Sequence, residues 1–483
     1  MELQWNKRSC PYLQTHVRQV QSQEQTQELR LPEELPDIGR VLCAWGQPVL
    51  RNKEWRGDGM SASGGVSASV LYLPEDGSGP KVLETWIPFQ AKWSFAQTRR
   101  EGIMRIKCIL RALDARTLSA RKMMLRASIA VFGEALEPTE ADVYTPDETP
   151  ETVEILSNVY PAVLPKEAGE KQFFFEEEIN IPNVAKWISF SFQPELTEQN
   201  VVGSRAVIRG IGKLHYVYMD EAGTIQSGDQ QLPFAQFADL DHDYGKDATV
   251  DVIPAVSSLE PELTADGVKI QCGIAAQYLL WDRELLEMTE DAYSNHYDLS
   301  NVQETLTVPT QLDDRNETVD IDHQLPEGNL LDMVFRTDFP TSYREGDMIN
   351  LEIPGTFQYL YQDVDGNLQS AVENVSAAVE YPAAEGCQLM VTVSGADISE
   401  HNAHIQLRMQ TGTNQEFTMI CGISMGDARK PDPSRPSLIL RRMDSDSLWE
   451  LAKANGSTMD AIRKANQLTQ DPDRGQMLLI PVS

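Results

Sequence analysis

One passage of this chain occurs three times, and it limits the fold more than any other feature. A strand-like run closes on an acidic, glycine-bearing turn at Val70-Leu71-Tyr72-Leu73-Pro74-Glu75-Asp76-Gly77, again from His215 to Gly223, and again from Gln358 to Gly366. The three closing glycines are 146 and 143 residues apart. A chain that repeats a unit at a fixed spacing repeats its buried faces as well, so the body reads as three copies of one assembly. Each passage has the chemistry of a β-hairpin, with Asp and Gly supplying the turn.

The flanks repeat too. Leu31-Pro-Glu-Glu-Leu-Pro-Asp-Ile38, Ile181-Pro-Asn-Val184 and Leu325-Pro-Glu-Gly328 precede the three turns. Downstream, residues 104–110 precede 122–132, residues 250–252 precede the turn Thr264-Ala-Asp-Gly267 and 268–272, and residues 389–393 precede 404–408. Leu136-Glu-Pro-Thr-Glu140 leads to Tyr144 as Leu286-Glu-Met-Thr-Glu290 leads to Tyr293. Met104, Ile106, Cys108 and Leu110 alternate with Arg105, Lys107 and Arg111, the period of a strand with one solvated face. The expected fold class is therefore mainly β, three repeated antiparallel β-domains, with a small α+β domain at the C-terminus. The expected division is 1–145, 146–295 and 296–429 for the β-domains, 430–436 for a stiff linker, Lys430-Pro-Asp-Pro-Ser-Arg-Pro436, and 437–483 for the last domain. Pro-rich joints are expected near 146–165 and 294–310.

Composition narrows function. The formal net charge of −32 over 483 residues argues against binding nucleic acid or an anionic membrane surface. From Ser437 onward six basic residues (Arg441, Arg442, Lys453, Arg463, Lys464, Arg474) meet six acidic ones (Asp444, Asp446, Glu450, Asp460, Asp471, Asp473), so the acidity belongs to the body. Six cysteines are scattered without CxxC spacing, and Cys108 and Cys272 sit in apolar runs that suit reduced core thiols. The chain opens Met1-Glu-Leu-Gln-Trp-Asn-Lys with no apolar leader, and no run reaches transmembrane length. A cytoplasmic, reducing setting without membrane insertion is expected.

The C-terminus carries the clearest local signals. Ser437-Leu-Ile-Leu-Arg-Arg-Met443 reads as a strand and 446–455 as a helix, with Asp446 or Ser447 as cap and Glu450 completing a capping box on Ser447. Gly456 follows where a left-handed cap belongs, Met459–Asn466 is a second helix, and Gly475 to Pro481 a closing strand. This βααβ order resembles the LysM domain. The resemblance implies a ligand groove formed by Ser445, Asp446, Ser447 and Leu448 on one side and Asn466, Gln467 and Leu468 on the other. Read as residues alone, Asp446 and Asn466 serve equally well as helix caps. Family members usually carry Gly-Asp where this chain has Ser445-Asp446, and Arg441-Arg442 stands where an apolar residue is usual. Both glycan and protein ligands are therefore open.

The repeated unit resembles the SPOCS domain of spore-coat and sporulation proteins. The marks are the Leu31-Pro32…Pro36-Asp37-Ile38 entry, the Leu71-Tyr72…Gly77 hairpin and Trp86-Ile-Pro-Phe89, with Gln231-Leu-Pro-Phe234 and Val379-Glu-Tyr-Pro382 as later counterparts. Three such units before a LysM domain resemble the SipL-type sporulation proteins. That resemblance implies a non-catalytic spore-coat scaffold, on the mother-cell side at the forespore surface, whose LysM domain docks on the ATPase that polymerises as the coat basement layer. The alternative is binding of N-acetylglucosamine-containing peptidoglycan or cortex.

Catalytic constellations are missing from the sequence: it has no Gly-x-Ser-x-Gly elbow, no P-loop and no dinucleotide fingerprint. Asp239-Leu-Asp241-His-Asp243 imitates a calcium loop, but Tyr244 and Val250 occupy the positions that require Gly and Glu, so a solvated loop is expected. His401 and His404 suit a polar turn better than a metal. Gly57-Asp-Gly59 and Ser61-Ala-Ser-Gly-Gly65 read as a mobile loop. No enzyme activity, cofactor or metal is expected.

Overall fold

The computed structural model describes residues 2–181, 183–264, 267–382, 387–399, 401–430, 434–443 and 447–482, apart from the side chain of residue 263. It is mainly β, and the same antiparallel arrangement recurs three times. The first set comprises β1 (Trp5–Arg30), β2 (Ile38–Arg56), β3 (Gly59–Pro74), β4 (Lys81–Ser94), β5 (Ile103–Ser119) and β6 (Lys122–Pro146). The second comprises β7 (Glu154–Asn180), β8 (Val184–Asp220), β9 (Ile225–Tyr244), β10 (Thr249–Leu263) and β11 (Gly267–Tyr293). The third comprises β12 (Tyr297–Asp322), β13 (Asn329–Thr337), β14 (Thr341–Glu345), β15 (Met348–Gln362), β16 (Leu368–Pro382), β17 (Cys387–Ile398) and β18 (Asn402–Ala428).

In each set the last strand lies between the first and the one before it, giving the orders β1-β6-β5, β7-β11-β10 and β12-β18-β17. A second sheet packs across each: β2-β3-β4, β8-β9, and β13, β14 and β16 around β15. Apolar side chains from both sheets fill the space between, around Tyr72, Val66 and Ile106 in the first set, Phe192, Phe234 and Val268 in the second, and Phe357, Tyr359 and Ile405 in the third.

The three repeated turns share one geometry. Gly77, Gly223 and Gly366 have φ of 72°, 82° and 81°, the left-handed region that glycine enters without a Cβ clash. Gly223 and Gly366 each donate their N–H to the carbonyl three residues back at 2.9 Å. Asp76, Asp220 and Asp363 each accept a backbone N–H inside their own turn, from Ser78, Thr224 and Asn367. The strand after the turn repeats as well. Pro88 faces Gly65 and Pro233 faces Ile211, each partner twelve residues before its turn glycine. Both prolines lie in edge strands, where a missing N–H costs no ladder bond. The third set departs here: Pro354, twelve residues before Gly366, faces Ser376, so Val379–Pro382 lies beyond the corresponding position.

Three local expectations are corrected. The Gly/Ser-rich stretch is not a loop beyond residue 58 but the start of β3. Its glycines make room: a Cβ on Gly64 would stand 2.0 Å from the Val49 carbonyl oxygen, and one on Gly65 would meet the Trp86 ring at 2.2 Å. Most of the two Pro-rich joints is strand, because β7 and β12 are edge strands that absorb proline at register shifts beside Pro165 and Pro309. Asp239 to Tyr244 ends β9 instead of forming a loop, and its alternate residues Asp239, Asp241 and Asp243 are all exposed. Among the described residues no group of three or more metal-type ligands converges, and His404 pairs with Asp320 at 2.5 Å.

The three sets are joined by shared interiors. The outer halves of the first and last strands of each set contribute to one cluster, which includes Cys10, Val143, Leu164, Leu286, Val308 and Phe417. A second joint cluster draws Trp45 and Leu71, Ile188 and Val217, and Leu360 from the three sets. A buried ion network crosses the same junction. Arg105, 1% exposed, bonds Glu134 (3.0 Å) and Asp251; Asp251 also meets Arg408, which holds Asp314 through Nε at 3.0 Å. Burial would push the Asp251 carboxyl up, but the guanidinium groups of Arg105 and Arg408 hold it below its ordinary value. His215 belongs to another crossing: its Nδ1 lies 2.9 Å from Asp229 and its Nε2 3.0 Å from Asp332 of the third set. The Asp332 carboxylate also accepts the Trp45 indole N–H at 2.7 Å. All six cysteines are free thiols, and among the described residues no helix is long and apolar enough to cross a membrane.

Candidate functional site

After the linker the chain forms a two-stranded ribbon with two short helices. β19 (Leu438–Arg442) pairs antiparallel with β20 (Met477–Pro481), and α1 (Leu448–Asn455) and α2 (Met459–Asn466) lie between them in sequence. Leu448, Trp449, Leu451, Ala452, Ile462, Leu478 and Ile480 form their common core, the apolar positions that helical and strand periods place on one face.

The helix ends follow the sequence closely, with one exception. Thr458 caps α2 by accepting the Ala461 N–H at 3.0 Å. Gly456 ends α1 at φ 64°, and the Ser457 N–H returns to the Ala452 carbonyl at 3.0 Å. Gln467 ends α2 at φ 53°, and the Leu468 N–H returns to Arg463 at 3.0 Å. The exception is the capping box: Ser447 stands at the start of α1, but its side chain makes no cap hydrogen bond. Glu450 instead places a negative charge in the first turn, where the helix dipole favours it.

The predicted groove residues divide. Ser445 and Asp446 lie outside the described residues. Leu448 is 4% exposed and belongs to the core, so it offers no ligand surface. Asn466 is committed to the backbone: its amide donates to the Ile462 and Leu479 carbonyls at 2.8 and 2.6 Å and accepts the Leu479 N–H at 2.8 Å. It therefore bolts β20 to α2, the cap-like role that its residue type allowed. Ser447 is partly exposed, Gln467 is exposed, and Leu468 is half-buried against the core edge. Met443 exchanges backbone hydrogen bonds with the Gly475–Gln476 stretch, which brings the chain entering α1 beside the chain leaving the second loop.

A contact absent from the sequence reading fixes this domain to the body. The Trp449 indole N–H and the Lys453 ammonium both donate to one carboxylate oxygen of Asp291, at 2.8 and 2.6 Å. The Tyr293 hydroxyl and the Asn295 amide donate to the Ser457 carbonyl at 2.9 and 3.1 Å, and the Tyr293 ring meets Trp449 edge-on at 4.8 Å. Burial works against ionisation of Asp291, yet Lys453 and Trp449 hold its carboxyl below the ordinary value. The only sequence signal was the repeated Tyr144/Tyr293 position. Docking uses one face of α1 and the turn between the helices. Trp449 lies in the first turn of α1, so the docking face includes the start of that helix, whereas the end of α2 carries the exposed Gln467.

The ribbon also bears an apolar outer face. Leu440 opposes Leu479 and Arg442 opposes Met477, and Leu438, Leu440, Met477 and Leu479 are all exposed.

No curated protein and no solved structure matches this chain. A family model does match its C-terminal part: residues 445–481 are a LysM domain.

Proposed function

We propose that this protein is a non-catalytic β-scaffold that holds a LysM domain in a set orientation, and that the loop after α2 of that domain binds an N-acetylglucosamine-containing glycan such as peptidoglycan. The observation that carries the reading is the docking geometry. Asp291, Tyr293 and Asn295 hold Trp449 and Lys453 of α1 and the Ser457 carbonyl of the turn, and Gln467 and Leu468 after α2 take no part in these contacts. The non-catalytic part is supported by how buried carboxylates are used: Glu134, Asp251 and Glu195 are each held by Arg or Lys. The test is calorimetric titration of the full chain with chitotetraose. Saturable binding, weakened at least tenfold by Gln467→Lys, is expected; a flat titration overturns the reading. Trp449 fluorescence is a poor reporter here, since its indole faces Asp291.

A second reading, that the ligand is a protein, is favoured by the exposed Leu438, Leu440, Met477 and Leu479 face and by Ser445 in place of the usual glycine. With the resemblance of the three repeats to SPOCS domains, that partner is the polymerising spore-coat ATPase. Retention of that ATPase by the full chain, and its loss with Leu440→Glu, is the expected result. No retention removes this reading while leaving the glycan titration unaffected.

A further inference from the structure

The three sets of strands meet around a cavity of about 220 Å³, and corresponding strands of each set line it. The first set contributes residues 45–50 of β2 (except 49) and 107–110 of β5; the second contributes 191–194 of β8 and 254–256 of β10; the third contributes 334–337 of β13 and part of 393–396 of β17. The walls mix polar and apolar surface in nearly equal shares, the apolar part supplied by Phe192, Phe335, Leu50, Leu110 and Val256 among others. Among the described lining residues the charged side chains are Lys107 and Arg336, with no carboxylate.

Neither cation has an acidic partner within salt-bridge distance among the described residues. The Lys107 ammonium donates to the Val393 carbonyl oxygen at 2.9 Å. The Arg336 guanidinium donates to Gln358 Oε1 at 3.2 Å and to the Ala44 carbonyl oxygen at 3.4 Å. The nearby acids are already committed: Asp251 to Arg105 and Arg408, Asp332 to Trp45 and His215, and Glu195 to Lys213. Burial pushes the Lys107 ammonium down to about 8 and the Arg336 guanidinium down to about 10. Holding a cation out of bulk water without a salt-bridge partner is costly, and here two partly exposed ones line a single cavity in a chain of net charge −32. An anion entering the cavity removes that cost, and the walls suit an anion with an apolar body.

We propose that the junction cavity binds a small organic acid, its carboxylate met by Lys107 and Arg336 and its apolar body held against Phe192, Phe335 and Leu110. A ligand there touches all three sets of strands, so it binds the assembled body and not the unfolded chain, and raises the melting temperature. The site is separate from the LysM loops and does not depend on what they bind.

The test compares benzoate with its uncharged counterpart benzamide on the full chain, by melting temperature and calorimetry, with inorganic phosphate as a third probe. Benzoate is expected to bind saturably at one site per chain and raise Tm, and benzamide to do neither. Lys107→Met is expected to raise the ligand-free Tm, since it removes an uncompensated charge, and to abolish the benzoate response. Arg336→Gln is expected to weaken benzoate at least tenfold and carries the test if Lys107→Met does not fold. Equal responses to benzoate and benzamide, no response to benzoate, binding of phosphate alone, or wild-type benzoate binding in a folded variant each overturn the proposal.

Discussion

Single residues in this protein show how a local pattern is read differently once neighbours arrive. Gly64 and Gly65 carried the composition of a mobile loop, yet they are strand residues whose missing side chains admit the Val49 carbonyl and the Trp86 ring. Gly64→Ala would drive a Cβ against backbone that cannot swing aside, so a loss of about 3 kcal/mol is expected in denaturant melts. Alanine tolerated there at no cost would contradict the close approach. His215 gives a pH signature. Burial lowers its affinity for a proton, but the Asp229 and Asp332 carboxylates more than offset this and raise the folded value to about 10. An unfolded histidine titrates near 6.5. The stability it contributes is therefore complete below about pH 6.5 and is lost as pH rises toward 10. Unfolding free energy measured between pH 6.5 and 10 should fall less steeply in His215→Gln than in the wild type.

At the scale of elements, what was legible in advance depended on how local its cause is. The three hairpin turns, the Gly456 stop and the span of α2 follow from interactions within a few residues, and they form where the residues place them. The groove did not follow so simply. Leu448 and Asn466 matched a binding pattern in sequence, but one fills the core and the other ties β20 to α2. The docking of α1 on Asp291 had no local signal, because its partners lie 158 and 162 residues apart. Asp291→Asn should weaken that docking by about 1–2 kcal/mol, the range for charge-assisted bonds when Lys453 is partly exposed. Faster amide exchange in α1, with the body's melting unchanged, is the expected outcome. Unaltered exchange would mean that the Tyr293 contacts alone hold the domain.

Across the whole molecule, the decisive feature is that three similar sheets share one interior. Asp251 stands between Arg105 and Arg408, so it links all three sets of strands. Asp251→Ala leaves two guanidinium groups buried without their common partner, and a loss of about 4 kcal/mol with a less cooperative melt is expected. A change under 1 kcal/mol would show that water or Glu134 and Asp314 take over. The sequence by itself determined that the chain is mainly β, that one strand-and-turn unit recurs three times, and that a LysM domain ends it. Those properties rest on side-chain period, turn chemistry and capping, which act between near neighbours. Only the tertiary structure decided that prolines of the supposed joints sit in edge strands, that α1 docks on Asp291 and Tyr293 of the body, and that Lys107 and Arg336 line one junction cavity. Each of these depends on which residues from separate copies come to share a core, and no local pattern records that.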